Sequence, residues 1–209
     1  MGKLPSVALD LDGVIVNFHQ KLIDVYNTKY PDETLTVCDL NCEIESLGPE
    51  LAPKLLEIFN SKGWFSALEP LPNAISLAMN LLDLGYEVTV CTAPARDKDG
   101  KINPFSFSEK VEWMHRWLPF WTNNMVITKH KEVVQADILI DDTGHNIINW
   151  CGKNENGIGY LIDQPWNRNF IKYPTNSHRG TFQDVAAFVD KFWCRKRGQF
   201  IYRLDELNQ

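Results

Sequence analysis

Val7-Ala8-Leu9-Asp10-Leu11-Asp12-Gly13-Val14 decides how the whole chain is read. Three apolar residues run into two aspartates and then a glycine. A short apolar run that stops at a turn signal reads as a buried strand, most often in a parallel sheet. Residues two apart in a strand share a face, so Asp10 and Asp12 start with matched directions at the strand's carboxyl end. That edge is where open α/β sheets bind ligands, and Gly13 lets the chain turn away just after the pair. Two carboxylates held close together are costly without a cation or a shared proton. The stretch therefore asks for a metal, a reaction or both. Read alone, it also fits a strand ending in a solvated Asp-x-Asp-Gly turn. A calcium loop would need further oxygen ligands at alternate positions, and Val14, Ile15 and Val16 follow instead.

Outward from this strand, the pattern changes period. Phe18, Leu22, Ile23, Val25 and Tyr26 recur at helical spacing up to Pro31. Residues 32–48 are polar and aperiodic, with Leu35, Val37, Leu40 and Ile44 available to cover a pocket. A second helix is predicted over 53–59, followed by Gly63-Trp64-Phe65 and by Glu69-Pro70-Leu71-Pro72, whose prolines mark a boundary. Residues 17–72 thus read as a small, mainly helical insertion, with 1–16 and 73–209 forming the core. Asn73 reads as the N-cap of a helix through Leu84 that Gly85 ends. Further strands are expected at 87–91, 124–128, 136–140 and 157–162. Between them lie a loop at 96–107, a helix at 108–118, a short helical turn from Lys129 to Gln135 and a helix at 143–151. A final helix is expected at 182–192. Strands alternating with helices across short turns imply an α/β fold with a parallel, doubly covered sheet.

Bulk properties narrow the function classes. The chain has 209 residues, 44% hydrophobic and 23% charged, as expected of one globular domain with an insertion. A formal net charge of -6 argues against a broad face for nucleic acid polymers but leaves room for a small phosphate pocket. The five cysteines, Cys38, Cys42, Cys91, Cys151 and Cys194, are odd in number and form no CxxC pair. They read as reduced thiols in a cytoplasm-like compartment, with zinc at Cys38 and Cys42 as the alternative. No apolar run approaches membrane-spanning length. Residues 1–5 are too short for a targeting segment, so a cytoplasmic protein is expected. The five histidines show no metal-ligand spacing. The Arg195-Lys196-Arg197 tail reads as a solvated helix end, with a homodimer contact as the alternative.

In a parallel sheet the polar clusters after the strands converge on one edge. Asp10 and Asp12 end the first strand, Thr92 the second, and Asp141 and Asp142 the fourth, while Lys131 opens the turn after the third. Each alone fits a cap or a solvated turn; together they fit phosphoryl transfer. Asp10 would attack phosphorus as a carboxylate nucleophile. A phosphate dianion repels that carboxylate, and Mg²⁺ held by Asp10 and Asp141, with Asp142 bound directly or one step removed, would offset the repulsion. Lys131 adds fixed positive charge. Thr92 and the backbone N–H groups after it can donate to phosphate oxygens. Asp12 is the candidate acid and base.

Here the chain resembles the haloacid-dehalogenase-type phosphatases, whose four motifs match Asp10-Leu11-Asp12-Gly13-Val14, Cys91-Thr92-Ala93, Lys131 and Asp141-Asp142 in order. Within them it is similar to the 5'(3')-deoxyribonucleotidases, through Leu68-Glu69-Pro70-Leu71-Pro72-Asn73-Ala74, through 127–134 and through 136–142. Bacterial and phage members also carry a segment like Asp163-Gln164-Pro165-Trp166-Asn167-Arg168. The resemblance implies a Rossmann-like parallel core with a small helical cap inserted after the first strand. It implies Mg²⁺ dependence, the backbone carbonyl of Asp12 as a further metal ligand, and a deoxynucleoside monophosphate as the small-molecule partner. Phe18 stands where that family places a nucleoside-pocket aromatic, with Trp64 or Phe65 as a second, and Ala93 and Lys129 fall at substrate-contacting positions. Cap core is the alternative reading of the three aromatics. Lys129 replaces an arginine of the animal enzymes, and a lysine lacks the bidentate fork. Trp166, Asn167 and Arg168 read as a surface turn, or as a loop over the site with Arg168 near phosphate. A sugar-phosphate phosphatase and a non-catalytic metal or nucleotide-binding module remain as alternatives; a binding module has no need of Asp12 as an acid.

Overall fold

Ser6–Leu9 forms strand β1 at the centre of a six-stranded, wholly parallel sheet. The other strands are β2 (Glu87–Thr92), β3 (Met125–Ile127), β4 (Ile138–Asp141), β5 (Ile158–Ile162) and β6 (Ser177–Gly180). Their order across the sheet is β3-β2-β1-β4-β5-β6. The computed structural model describes residues 5–196, with side chains through residue 192, apart from positions 42, 98 and 172. Cys42, the side chains of Cys194, Arg195 and Lys196, and Arg197, with the expected homodimer contact of that basic tail, lie outside the described residues. No helix among the described residues is long and apolar enough to cross a membrane.

The alternation of side chains along the strands sorts the core into two faces. Val7 and Leu9 of β1 join Val88, Val90, Ile138 and Ile140 in one apolar cluster. Ala8 joins Cys91, Leu139 and Leu161 in the other. The first face is covered by α3 (Ala74–Asp83), α4 (Phe105–Trp117) and α6 (Val185–Lys196), whose Leu81, Trp113, Met114, Phe188 and Val189 belong to the same cluster. The second is covered by α5 (Gly144–Lys153) through Ile147, Trp150 and Cys151. Each fully buried leucine of this kind contributes about 1.5–3 kcal/mol. Gly159 on β5 permits the close approach of α5, since a Cβ there would lie 2.7 Å from Ile147 and 2.8 Å from Cys151.

Between β1 and α3 the chain makes a helical excursion. It contains α1 (Phe18–Lys29), α2 (Leu51–Phe59) and short 3₁₀ turns, with α1 and α2 packed on each other. Phe18, Leu22, Ile23 and Tyr26 present the apolar stripe of α1, and Leu55, Leu56 and Phe59 that of α2. The excursion departs and returns through a narrow neck. Val16 and Pro70 form an antiparallel bridge, Asn17 N–H donates to Glu69 at 2.9 Å, and Leu71 N–H donates to Ile15 at 2.7 Å.

Several local expectations shift. Helix α4 starts at Phe105 rather than 108, with Pro104 at its N-cap and the Asn103 side chain just before it accepting the Phe105 N–H at 3.0 Å. Asn73 is no side-chain cap: it sits at φ 64, left-handed, as the corner between Pro72 and α3. The last helix starts at Val185, after a 3₁₀ turn boxed by Thr181 and Asp184. Strand β6 was not expected; Ser177-His178-Arg179-Gly180 is a half-buried edge with no apolar signal.

Candidate active site

The crossover from one half of the sheet to the other falls between β1 and β4, and a parallel sheet opens a crevice there at the strands' carboxyl ends. Asp10 follows β1 and Asp141 ends β4; Asp10 N–H donates to the Ile140 carbonyl at 2.9 Å, continuing the ladder. The register that pairs Leu9 with Ile140 therefore brings the two carboxylates side by side. Lys131, on a 3₁₀ turn after β3, lies between them, its Nζ 2.6 Å from Asp10 Oδ1 and 2.7 Å from Asp141 Oδ2. Asp141 also accepts the Thr143 N–H at 2.8 Å and the Asn146 amide at 3.1 Å. Asn146, on the first turn of α5, was missed in the sequence because one asparagine at a helix start carries no distinct signal.

Asp10, Asp141 and Asp142 are buried and bring carboxylate oxygens within 4.8 Å of one another. Three acids share one lysine, so the cluster has more acid than cation. Burial pushes the Asp10 carboxyl up to about 7; Lys131 opposes the rise, while Asp141 and Asp12 add to it. Burial also raises Asp142 well above the usual carboxylate range, with Asp10 and Asp141 adding and Trp166 and Lys131 opposing. Burial alone would lower Lys131, but Asp10 and Asp141 outweigh it and hold the ammonium above its ordinary value. An all-oxygen, over-acidic set of this kind fits a hard divalent cation. A measurable consequence follows from linkage. Asp10 is neutral in the metal-free fold at pH values where the unfolded chain ionises it, so the fold binds the extra proton. Stability of the wild type relative to Asp10→Asn therefore falls as pH rises from 3.8 to about 7, and a saturating divalent cation closes the gap. Urea unfolding across that range, with EDTA and with the cation, reads it. A gap that is flat with pH removes the assignment.

Asp12 sits beside this cluster in a different setting. Its Oδ2 is ion-paired with Lys110 and accepts the Thr92 hydroxyl at 3.3 Å, while its Oδ1 is buried with no hydrogen-bond partner among the described residues. Thr92 is fully buried, and its hydroxyl also accepts from Lys110 at 2.8 Å. The hydroxyl expected on a phosphate is thus engaged with Asp12 and Lys110. Lys110 itself escaped the sequence reading. It lies on the buried face of α4 with Ser106, Trp113 and Met114. A lysine there was the available signal, because lysines are rarely fully buried without a partner.

Over the cluster lies a cavity of about 340 Å³, lined by Asp10, Asp12, Lys131 and Asp142 below and by Phe18 and Phe65 above. Ala93 and Lys129 line it as expected. Phe18 and Phe65 are stacked with centroids 6.2 Å apart. The Phe65 segment is pinned by Glu109, another buried α4 residue, which accepts the Gly63 N–H at 2.6 Å and the Phe65 N–H at 3.0 Å. Trp64 does not line the cavity; it packs edge-on against Phe18, with centroids 6.1 Å apart. Arg168 is exposed and does not line the cavity either. The described cysteines, Cys38, Cys91 and Cys151, are free thiols, and burial pushes Cys91 up to about 12.

A crossed-over parallel sheet with a carboxylate cluster at its switch point and a helical excursion above defines the fold of the haloacid dehalogenase class of hydrolases. A hydrolase of that class from Deinococcus radiodurans, solved with bound phosphate and sodium, superposes with a TM-score of 0.56 at 12% identity, covering 91% of this chain and 97% of that one. The L-2-haloacid dehalogenase of Xanthobacter autotrophicus gives 0.54 at 10% identity, with 90% and 98% covered. Within the class, the chain belongs to the 5' nucleotidase, deoxy (Pyrimidine), cytosolic type C family, whose sequence profile matches residues 4–190. The human mitochondrial 5'(3')-deoxyribonucleotidase is 31% identical over 149 residues, 68% of this chain and 63% of that protein. The human cytosolic-type 5'(3')-deoxyribonucleotidase is 28% identical over 150 residues, 68% and 72% respectively. The chain thus spans less than two thirds of the first of these relatives and more of the second.

Proposed function

We propose that the chain is a Mg²⁺-dependent phosphomonoesterase that releases phosphate from deoxyribonucleoside 5'-monophosphates through an aspartyl-phosphate at Asp10. Members of its family are phosphoric monoester hydrolases of the 5'-nucleotidase type, and both human relatives carry the deoxyribonucleotidase name. The observation that carries the reading is the position of Asp10. It is buried, bridged by Lys131 to Asp141, and at the floor of a cavity roofed by Phe18 and Phe65.

Asp10, Asp141 and Asp142, with the Asp12 carbonyl, would hold Mg²⁺, which supplies charge neutralisation between the nucleophile and the phosphate. Lys131 opposes the rise in the Asp10 carboxyl and adds a fixed cation near the phosphate oxygens. Asp10 attacks phosphorus, and the P–O bond to the deoxynucleoside breaks. Asp12 gives its proton to the departing alkoxide, then takes one from the water that attacks the aspartyl-phosphate. Lys110 and Thr92 hold Asp12 Oδ2, which leaves Oδ1 for proton transfer. Aromatic faces such as Phe18 and Phe65 give a nucleobase roughly 1–3 kcal/mol of stacking each. The free thiols fit a reducing, cytoplasm-like compartment.

Phosphate release from a panel of deoxynucleoside, ribonucleoside and sugar monophosphates, with Mg²⁺ and with EDTA, tests this. The expected result is release that EDTA abolishes and that favours the deoxynucleotides. Release from sugar phosphates alone keeps the chemistry and discards the substrate, and no release from any member overturns both.

A further inference from the structure

The turn that follows β5 does not remain at the surface. Gln164 reaches back to donate to the Gly13 carbonyl at 2.8 Å, and the buried Asn167 amide donates to the carbonyls of Asp142 at 2.7 Å and Ile162 at 2.8 Å. Trp166 is driven inward, and its indole N–H donates to Asp142 Oδ2 at 2.6 Å. The other side of the indole is held by His19 of α1, whose ring stacks on it with centroids 3.8 Å apart and planes 15° apart. Gly13 makes room for this contact. A Cβ there would come 2.1 Å from Asp142 Oδ2 and 3.2 Å from the Trp166 ring. A residue at the cap, a loop of the core and the glycine of the first motif therefore converge on one oxygen of one carboxylate.

An N–H aimed at a carboxylate oxygen places positive charge where a cation would sit, so that oxygen is poorly available as a second ligand. Bidentate carboxylates are common around Ca²⁺, which takes six to eight oxygens. Mg²⁺ demands near-ideal octahedral geometry and takes carboxylate oxygens singly. Asp142 Oδ1 is touched by the Thr143 hydroxyl at 3.3 Å, a rotor that can turn aside. We propose that Trp166 is a positioning residue that occupies Asp142 Oδ2 with its indole N–H, so that Asp142 offers a cation a single oxygen and the site favours Mg²⁺ over Ca²⁺. His19 fixes the plane of the indole. The inference rests on the reading that Asp10, Asp141 and Asp142 hold a divalent cation.

The test is calorimetric titration of the full chain with MgCl₂ and with CaCl₂, without substrate, for the wild type, Trp166→Phe, His19→Phe and His19→Ala. Trp166→Phe keeps the stacked ring and removes the N–H. It should weaken Mg²⁺ binding by roughly tenfold, as loss of an outer hydrogen bond to a metal ligand does, and lower the Mg²⁺-to-Ca²⁺ preference. His19→Phe should keep the wild-type preference, and His19→Ala should fall between. A wild-type preference in folded Trp166→Phe overturns the proposal and leaves the cation site standing. No binding of either ion to the wild type overturns the site itself. Should Trp166→Phe not fold, the wild type answers alone: among the seven tryptophan indole N–H resonances, that of Trp166 should move in step with Mg²⁺ saturation. If it does not move, the proposal fails.

Discussion

Replacing Asp10 with Asn abolishes phosphate release, by roughly 10⁴-fold or more, the scale on which enzymes lose turnover when a nucleophile is removed, and leaves the chain folded. The two halves of this expectation have different causes. Turnover is lost because the amide oxygen cannot form the aspartyl-phosphate, whatever the cation and Lys131 contribute. Folding survives because burial, with Asp141 and Asp12 adding to it, pushes the Asp10 carboxyl up to about 7, so the metal-free fold already tolerates a neutral group there. Asn keeps the size and an acceptor for Lys131. Phosphate release and thermal unfolding of the same preparation decide the matter. Turnover near the wild-type value would remove Asp10 from the mechanism, and collapse of the fold would show that its charge is structural.

Replacing Lys131 with Met costs the fold about 3–5 kcal/mol, the range for removing one partner of a buried ion pair, and stops turnover. Lys131 is buried, and it is the ammonium that touches both Asp10 and Asp141. Without it the two carboxylates face each other unpaired. Because Asp10 can take up a proton in the fold, the loss should be smaller in acid, where it is neutral, than at alkaline pH, where it must ionise beside Asp141 without the lysine. Denaturant unfolding in EDTA at the two ends of that range measures it. Wild-type stability for Lys131→Met in EDTA would show that the bridge contributes nothing to holding the cluster together.

The parts of this protein that could be read from the chain are those where one physical demand dominates. β1, β2, β4 and β5 are apolar runs because they are buried on both faces, and their carboxyl ends carry polar residues because ligands meet a parallel sheet there. Asp10, Asp12, Lys131, Asp141 and Asp142 were therefore legible as a group. β6 was not, since an edge strand of Ser, His, Arg and Gly has no burial signature. Asn73 misled because the residue that caps helices also tolerates a left-handed corner, and here the corner is what the backbone takes. Lys110 and Glu109 were missed for one shared reason. Their partners lie 98 and 46 positions away, and only the packing of α4 brings the pairs together. The inward turn of Trp166 stood in the sequence only as one of two alternatives, because its partner Asp142 is 24 positions earlier.

The neck at Val16 and Pro70 has a consequence for how such a protein can diversify. The excursion leaves and re-enters the core at two backbone points bridged to each other, with Asn17 bonded to Glu69 and Ile15 to Leu71. Loop closure is already achieved at that pair, so lengthening the segment costs little, about 0.6 kcal/mol per doubling. The strands and Asp10, Asp141 and Asp142 all lie outside those two points, so a lineage could exchange one roof for another while inheriting most of the floor, losing only the His19 contact that holds Trp166 on Asp142.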